Sequence, residues 1–342
     1  MQFWHWTIVY YVAINIMTFI LYGVDKKKAK NHKWRVSEFT LIALAMVGGF
    51  IGAIAGMFVW HHKTKKTKFR ILVPLSLLLH IFLVCFLTYQ NNHLVVTNYS
   101  YKTDINCRIV QISDVHNMVP YWDDNTLARK VAEQNPDYIV ITGDLVDSTH
   151  PDVDSALRTA ESLAKITDTY YVTGNHEKRF SEEKQAEFLQ SLRDVGVIVL
   201  QDEYVLLTDN SGREFVLAGM DNDSIGTPAG YALIESFPEH TVSILLAHQP
   251  QYIYSGAYEG ADIVLSGHLH GGQIVFGDLG NGMPNNRGTG LISPEFVFFQ
   301  EFSYGFMTER GTAMYTSRGI GNSIIPWRIN NYPEIVVLTL HS

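Results

Sequence analysis

Two imidazoles two residues apart, His268 and His270 in "SGHLHGGQ", close the run "ADIVL" at 261–265. Four other apolar runs end in the same manner. "CRIVQIS" ends at Asp114 and His116, and "DYIVIT" at Gly143 and Asp144, with Asp147 three residues on. "TYYVT" ends at Gly174, Asn175, His176 and Glu177, and "VSILLA" at His248. Carboxylate, amide and imidazole donors together suit divalent ions such as Mn, Fe and Zn. A pair of such ions about 3.5–4 Å apart needs a bridging carboxylate and a surrounding set of N and O ligands, with no thiolate required. Each cluster alone is a common turn or helix cap. Five in this order, each closing an apolar run, form the pattern of a metal site.

Those side chains need elements that bring them to one place. Asp114, Asp144 and Asn175 stand about 30 residues apart, the length of a βαβ unit. The segments between them, "DNTLARKVAEQ" and "DVDSALRTAESLAKI", carry apolar residues at helical spacing. Parallel strands present their C-terminal ends along one edge, where sites form. Later strand-like runs at 204–208, 215–219, 312–317 and 334–340 fit a second sheet. The stretch 278–300, rich in Gly, Asn and Pro, reads as a lid or substrate loop beside the ligands. In 293–307, Phe296 and Phe298 alternate, as do Phe302, Tyr304 and Phe306, which fits a core strand or a lipid contact.

Charge divides the 342-residue chain. Residues 1–90 hold eleven Lys and Arg against two acids, Asp25 and Glu38, whereas residues 91–342 hold fifteen against thirty-two. Such asymmetry argues for two units in two environments. The acidic unit is a poor match for nucleic acid, because a polyanion is bound through Lys and Arg. Segments 3–24, 39–60 and 71–89 contain no charged residue and are each long enough to cross about 30 Å of hydrocarbon. The expected organisation is a membrane module at 1–90, a linker at 91–106 and a catalytic domain at 107–342. The loops "DKKKAKNHKWR" and "HHKTKKTKFR" are both basic. Three full spans would put them on opposite faces, against the positive-inside rule. Gly48, Gly49, Gly52 and Gly56 offer two readings: a re-entrant hairpin, or a small-residue packing face. The hairpin would leave both basic loops inside and the catalytic domain outside the cytoplasm.

The set D-x-H, G-D-x-x-D, G-N-H-E, H and G-H-x-H resembles that of the calcineurin-like metallophosphoesterase superfamily, through residues 107–340. "GHLHGGQ", "TSRGIGNS" and "PEIVVLTL" resemble its bacterial membrane-attached subgroup, which includes enzymes similar to UDP-2,3-diacylglucosamine hydrolases. The front part resembles a small bacterial membrane domain family of unknown function, on "NIMTFILYGVDKKKAK", "WRVSEFTLIALAMVGGFIGA" and "HKTKKTKFR". The superfamily resemblance implies an α/β fold, a four-layer α/β/β/α sandwich, here behind an α-helical membrane module. It implies two divalent metal ions (Mn, Fe or Zn). Asp114, His116 and His270 would hold one, and Asn175, His248 and His268 the other, with Asp144 bridging. His176 would be the general acid at the leaving oxygen. Asp147 and Glu177 are expected to orient ligands by hydrogen bonds, or else to cap turns. Arg287, Arg310 and Arg318 are expected to clamp substrate phosphate.

The expected activity is hydrolysis of a phosphate ester or pyrophosphate by a membrane-tethered phosphoesterase. A bilayer tether favours a lipid-linked substrate over a soluble phosphorylated small molecule. The alternatives are a phosphodiesterase or phosphatase for a soluble nucleotide, and a metal-bound membrane scaffold without turnover.

Overall fold

The computed structural model describes residues 3–117, 124–275, 288–292, 298–322 and 325–342. The chain divides into two compact units, 1–88 and 89–342.

The first unit is built from α1 (Phe3–Lys30), α2 (Glu38–Leu44), α3 (Phe50–Val59) and most of α4 (Thr67–Asn92). Three helical segments, His5–Lys30, Glu38–Val59 and Thr67–Asn92, are long and apolar enough to cross a bilayer. The middle one is broken. Val47 and Gly48 leave helical geometry, and Gly48 takes φ +117, a conformation open to glycine. A straight helix of 22 residues would separate its ends by about 33 Å. Here the two ends meet. Glu38 at the start of α2 accepts from Lys63 at 2.9 Å and from Lys66, both beyond α3. Asp25 at the end of α1 joins the loops further, 2.7 Å from Arg35 and 2.7 Å from His62. The segment therefore folds back on itself, and both basic loops lie on one side of the unit.

Side chains of α1 satisfy the backbone that the break exposes, as apolar surroundings require. Asn15 donates to the Gly48 carbonyl at 2.9 Å and accepts from the Gly52 N–H at 2.8 Å, while Tyr10 donates to the Val47 carbonyl. A Cβ on Gly52 would stand 2.0 Å from the Asn15 carbonyl oxygen. The glycine-rich segment thus serves both expected roles: Gly48 makes the bend, and Gly52 admits α1 against α3.

The second unit begins with the last turn of α4. Its elements are β1 (Val95–Lys102), β2 (Cys107–Ile112), α5 (Asp124–Ala132), β3 (Tyr138–Thr142), α6 (Val153–Ala164) and β4 (Thr169–Val172). Then come α7 (Glu182–Asp194), β5 (Ile198–Val199), β6 (Glu203–Thr208), β7 (Glu214–Gly219), α8 (Pro228–Glu235), β8 (Ser243–Leu246) and β9 (Ile263–Ser266). The C-terminal part adds β10 (Gly288–Ile292), β11 (Phe298–Glu309), β12 (Thr312–Thr316) and β13 (Glu334–His341). One mixed sheet has the order β1-β13-β2-β3-β4-β5 and the other β10-β11-β12-β9-β8-β7-β6.

Alternation along the strands produces the layers. Ile109 faces the space between the sheets, with Val140, Val172, Leu217, Ile244 and Leu265. Its neighbours Val110 and Ile112 face outward under α5, α6 and α7, against Leu127, Ala160 and Leu189. On the far side, Leu245 and Val264 are covered by Leu233, Ile234 and Tyr258. This is an α/β domain of two sheets flanked by helices, as the resemblance implies.

Two expectations need correction and one narrows to a single reading. The run 334–340, expected in the second sheet, is β13 of the first, between β1 and β2. The segment 91–106, expected as a linker, contains β1. That strand pairs in parallel with β13 from Val95 opposite Glu334 to Lys102 opposite His341, so its partner lies far along the chain. In the aromatic stretch, Phe302 and Tyr304 are buried and Phe306 stacks on Tyr99. These three rings are core. Phe298 is 59% exposed, and Phe296 lies outside the described residues, as do 278–287 of the expected lid.

Candidate metal centre

Strands β2, β3 and β4 run parallel in one sheet, and β7, β8, β9 and β12 in the other. The segments after β2, β3, β4, β8 and β9 supply the polar clusters, so the side chains converge in a buried cleft. Asp114, Asp144, His248, His268 and His270 are at most 3% exposed, and His116 and His176 are also buried. The backbone bends sharply to deliver them. Asp114, His116, Asp144, His268 and His270 all take φ between 45 and 72. This left-handed region is uncommon outside glycine and costs on the order of 1–3 kcal/mol per residue. Five such residues in one cleft mark a place where geometry is held at the expense of stability.

Three sets of donor atoms lie within 4.8 Å of one another: Asp114, His116 and His270; His116, Asp144 and His176; and Asp144, His248 and His268. Asp144 belongs to two sets. Its Oδ2 is 3.7 Å from His116 Nε2 and 3.1 Å from His248 Nε2. His270 Nε2 is 3.6 Å from Asp114 Oδ1 and 3.0 Å from His116 Nε2. Asn175 Oδ1 is 3.1 Å from His248 Nε2 and 2.9 Å from His268 Nδ1. Each expected ligand thus sits in one of two groups flanking Asp144.

The site's own electrostatics suit a pair of cations. Burial holds the His116 pKa down at about 4 and that of His270 well below the usual imidazole value. Both rings are then neutral, with unprotonated nitrogens available for a metal. Burial raises Asp114 to about 6. Burial would lower the His248 pKa too, but the Asp144 carboxylate overrides it and raises His248 to about 10. Beside Asp144 His248 holds its proton, and an ion bound at Nε2 would take that proton's place. Two of the rings are also braced for ligation. His248 Nδ1 lies 2.7 Å from the Thr142 carbonyl, and His270 Nδ1 lies 3.2 Å from that of Gly321. Donating Nδ1–H to a carbonyl fixes the tautomer and leaves Nε2 as the metal-facing atom. These Asp and His clusters constitute a binuclear site for two divalent ions.

Glu177 is fully buried and accepts four backbone N–H groups. Asp144 and Gly174 donate to Oε2, at 3.1 and 2.9 Å, and Leu145 and Val146 to Oε1, at 2.8 and 3.2 Å. It holds the turn that aims Asp144. Asp147 acts locally instead: its Oδ1 accepts from Thr149 and from the His150 N–H, shaping the turn at 147–150. His176 Nδ1 accepts the Ser148 N–H at 3.0 Å, so the proton of the neutral ring sits on Nε2, 4.0 Å from Asp144 Oδ2. Burial depresses its pKa.

Two of the three expected phosphate arginines have carboxylate partners. Arg318 follows β12 at the site's edge, but its guanidinium is tied to the buried Glu334 at 2.8 Å and to Thr97 at 3.2 Å. Glu334 starts β13 without solvent and needs that cation. Arg310 precedes β12, which runs parallel to β9 with Thr316 opposite Ser266. It therefore lies at the other edge of the sheet, where it pairs with Glu259 at 3.6 Å. Arg287 lies outside the described residues. One residue that no motif points to, Arg328, is buried behind the His270 turn. Its signal, a cation in "PWRINN", is indistinguishable in sequence from a surface arginine.

The calcineurin-like phosphoesterase family matches residues 107–272. A family described as a protein of unknown function, DUF1294, matches residues 15–69. The chain is 28% identical over 240 residues to the uncharacterized metallophosphoesterase YkuE of Bacillus subtilis, covering 69% of this chain and 79% of that protein. It is 27% identical over 318 residues to the uncharacterized metallophosphoesterase Cj0846 of Campylobacter jejuni, covering 88% and 78%. The front part is 44% identical over 75 residues to the uncharacterized protein YsdA of Bacillus subtilis, covering 22% and 84%. The chain thus carries a calcineurin-like metallophosphoesterase superfamily domain behind an apolar N-terminal region. It is a multi-pass membrane protein with a metal-dependent phosphoesterase domain.

Proposed function

We propose that this calcineurin-like metallophosphoesterase domain hydrolyses a phosphate ester or pyrophosphate of a lipid-linked substrate at the outer face of the membrane that holds it. The observation that carries the chemistry is that Asp144 joins two buried donor groups, 3.7 Å from His116 in one and 3.1 Å from His248 in the other. In this reading Asp114, His116 and His270 hold one ion, Asn175, His248 and His268 the other, and Asp144 both. When bound, such a pair withdraws charge from the phosphoryl oxygens and acidifies water toward neutral pH.

The chain's own residues do the rest. Glu177 keeps the Asp144 turn in its left-handed conformation. His176 faces the cleft with Nε2–H and serves the leaving oxygen as a hydrogen-bond donor. A second proton at Nδ1 would confront the Ser148 N–H, so His176 acts as a full general acid only when that contact opens. The depressed His176 pKa supports a neutral ring at rest.

Location supports the substrate class. The folded-back middle segment puts both basic loops on one side, and the positive-inside rule makes that side cytoplasmic. α1 then enters, α4 exits, and residues 89–342 lie outside. An anchored site outside the cytoplasm meets lipid phosphates more readily than cytoplasmic nucleotides. Purified full-length protein in detergent with Mn²⁺ should cleave lipid phosphates and lipid-linked pyrophosphates at higher kcat/KM than soluble nucleotides. The reverse ranking would reject the lipid assignment and favour a soluble nucleotide. Protease added to cells stripped of any outer barrier should digest 89–342. Full protection beside a cleaved external control would reverse the topology.

A further inference from the structure

Arg328 is completely buried, and among the described residues no carboxylate forms an ion pair with it. Burial, with Arg318 adding to it, depresses its pKa to about 9. Its partners are uncharged oxygens. Nε donates to Asn322 Oδ1 at 3.2 Å, one terminal nitrogen donates to the Arg318 carbonyl at 2.9 Å, and the other donates to the Gly321 carbonyl. Burying an unpaired guanidinium is expensive, so these carbonyl contacts call for an account.

The Gly321 carbonyl is the one that His270 Nδ1 approaches at 3.2 Å. Around it, the Gly321 N–H donates to the Asp114 carbonyl at 2.7 Å and the Ile320 N–H to the Ser113 carbonyl at 3.0 Å. A Cβ on Gly319 would stand 2.7 Å from Asp114 Cβ. The turn 318–321 is therefore the floor beneath Asp114 and His270 together, and Arg328 grips two of its carbonyls from behind.

Arg328 is itself held by the last turn of α4, which belongs to the second unit. Asn91 Oδ1 accepts the Arg328 N–H at 2.7 Å, and Asn91 Nδ2 donates to the Pro326 carbonyl at 2.7 Å. Gln90 Oε1 accepts the Asn330 N–H at 3.0 Å, and the next residue, Asn331, donates to the His270 carbonyl at 2.6 Å.

We propose that Arg328 is a positioning residue for the metal pair, fixing the Gly321 carbonyl against His270 Nδ1 so that Nε2 faces Asp114, and that Asn91 holds Arg328 there. The membrane-proximal turn is then part of what keeps one metal ion bound. The inference rests on His270 being a ligand, and the test separates the two claims.

The test uses the full-length chain in detergent. Mn²⁺ binding is measured by equilibrium dialysis, and Co²⁺ substitution reports ligand geometry through its visible absorption. His270→Ala is the reference and should lose one ion. Arg328→Met should weaken that same ion about 10–100-fold, the range seen when outer hydrogen bonds to a ligand are removed, and should shift the Co²⁺ spectrum. Arg328→Lys should recover part of the affinity. Asn91→Ala should weaken the same ion by a smaller factor. If His270→Ala keeps both ions, the ligand assignment fails. If it loses one while Arg328→Met and Asn91→Ala bind as tightly as wild type or tighter, the positioning role alone fails, whatever happens to the melting temperature. Should Arg328→Met not fold, Asn91→Ala decides: wild-type affinity and spectrum overturn the proposal.

Discussion

Replacing Glu177 by glutamine keeps the side chain's shape and removes its charge. The carboxylate accepts four backbone N–H groups, two on each oxygen. In the amide one oxygen remains an acceptor, while the NH₂ group confronts the two other N–H groups. Two charge-assisted hydrogen bonds are lost, each contributing about 1.5–3 kcal/mol. The local loss is then about 3–6 kcal/mol, enough to let the Asp144 turn open. In the metal-free site burial, with repulsion from Asp144, raises Glu177 to about 7, so the experiment is run at pH 8 with Mn²⁺, where the carboxylate is ionised. Hydrogen exchange by mass spectrometry reads the amides of 143–147 directly. At about 1.4 kcal/mol per factor of ten, exchange there should quicken roughly 10²- to 10⁴-fold. Glu161→Gln is the control. Glu161 makes an exposed i,i+4 pair with Lys165, and its removal should leave the segment unchanged. Exchange of 143–147 within about threefold of wild type in Glu177→Gln would refute the assignment of Glu177 as the clamp of this turn.

His176→Ala should keep both metal ions by elemental analysis and lose rate by about 10²–10⁴-fold; the loss should shrink for aryl phosphates, and an equal loss for alkyl and aryl leaving groups would count against the role. Raised to about 10, His248 stays protonated at pH 8, whereas His116, at about 4, is already neutral. Metal binding must therefore release close to one proton, and apparent affinity should rise roughly tenfold per pH unit from 7.5 to 9.5. Calorimetry in buffers of different ionisation enthalpy measures this, and no proton release would contradict the His248–Asp144 pairing. Gly52→Leu places a side chain where a Cβ is already 2.0 Å from the Asn15 carbonyl. It should force α1 from α3 and lower the yield of folded protein in detergent, whereas a yield equal to wild type would contradict that packing.

The site was legible because its signal is local. Each apolar run and the polar residues that end it are contiguous, so "GDLVD" or "GHLHGG" announces both a strand and its ligands. What escaped depends on distant pairing. β1 is a strand because β13, more than 230 residues on, lies beside it, and nothing in 91–106 declares that partner. Arg318 has a buried carboxylate partner, Glu334, that only the fold brings beside it. Arg328 carries no motif, since burial is decided by the whole fold. The left-handed backbone at Asp114, His116 and Asp144 does not single them out either, because Asp and His adopt it away from the site too, at His32, Asp202 and His240. The hairpin was half-legible. The basic front part has two acids, Asp25 and Glu38, and both sit where the loops meet. Two lone carboxylates among eleven cations are a pairing signal, but only the fold makes each reach across to the second loop.

The measurement that bears most directly on a two-ion phosphoesterase site is metal stoichiometry beside turnover in Asp144→Ala. Full-length protein purified in detergent and loaded with Mn²⁺ should hold two ions per chain and hydrolyse phosphate esters only when loaded. Asp144 lies 3.1 Å from His248 and 3.7 Å from His116, one from each ligand set. Its removal should therefore empty at least one position and abolish turnover. An Asp144→Ala protein that keeps two ions and turns over at the wild-type rate would contradict the account.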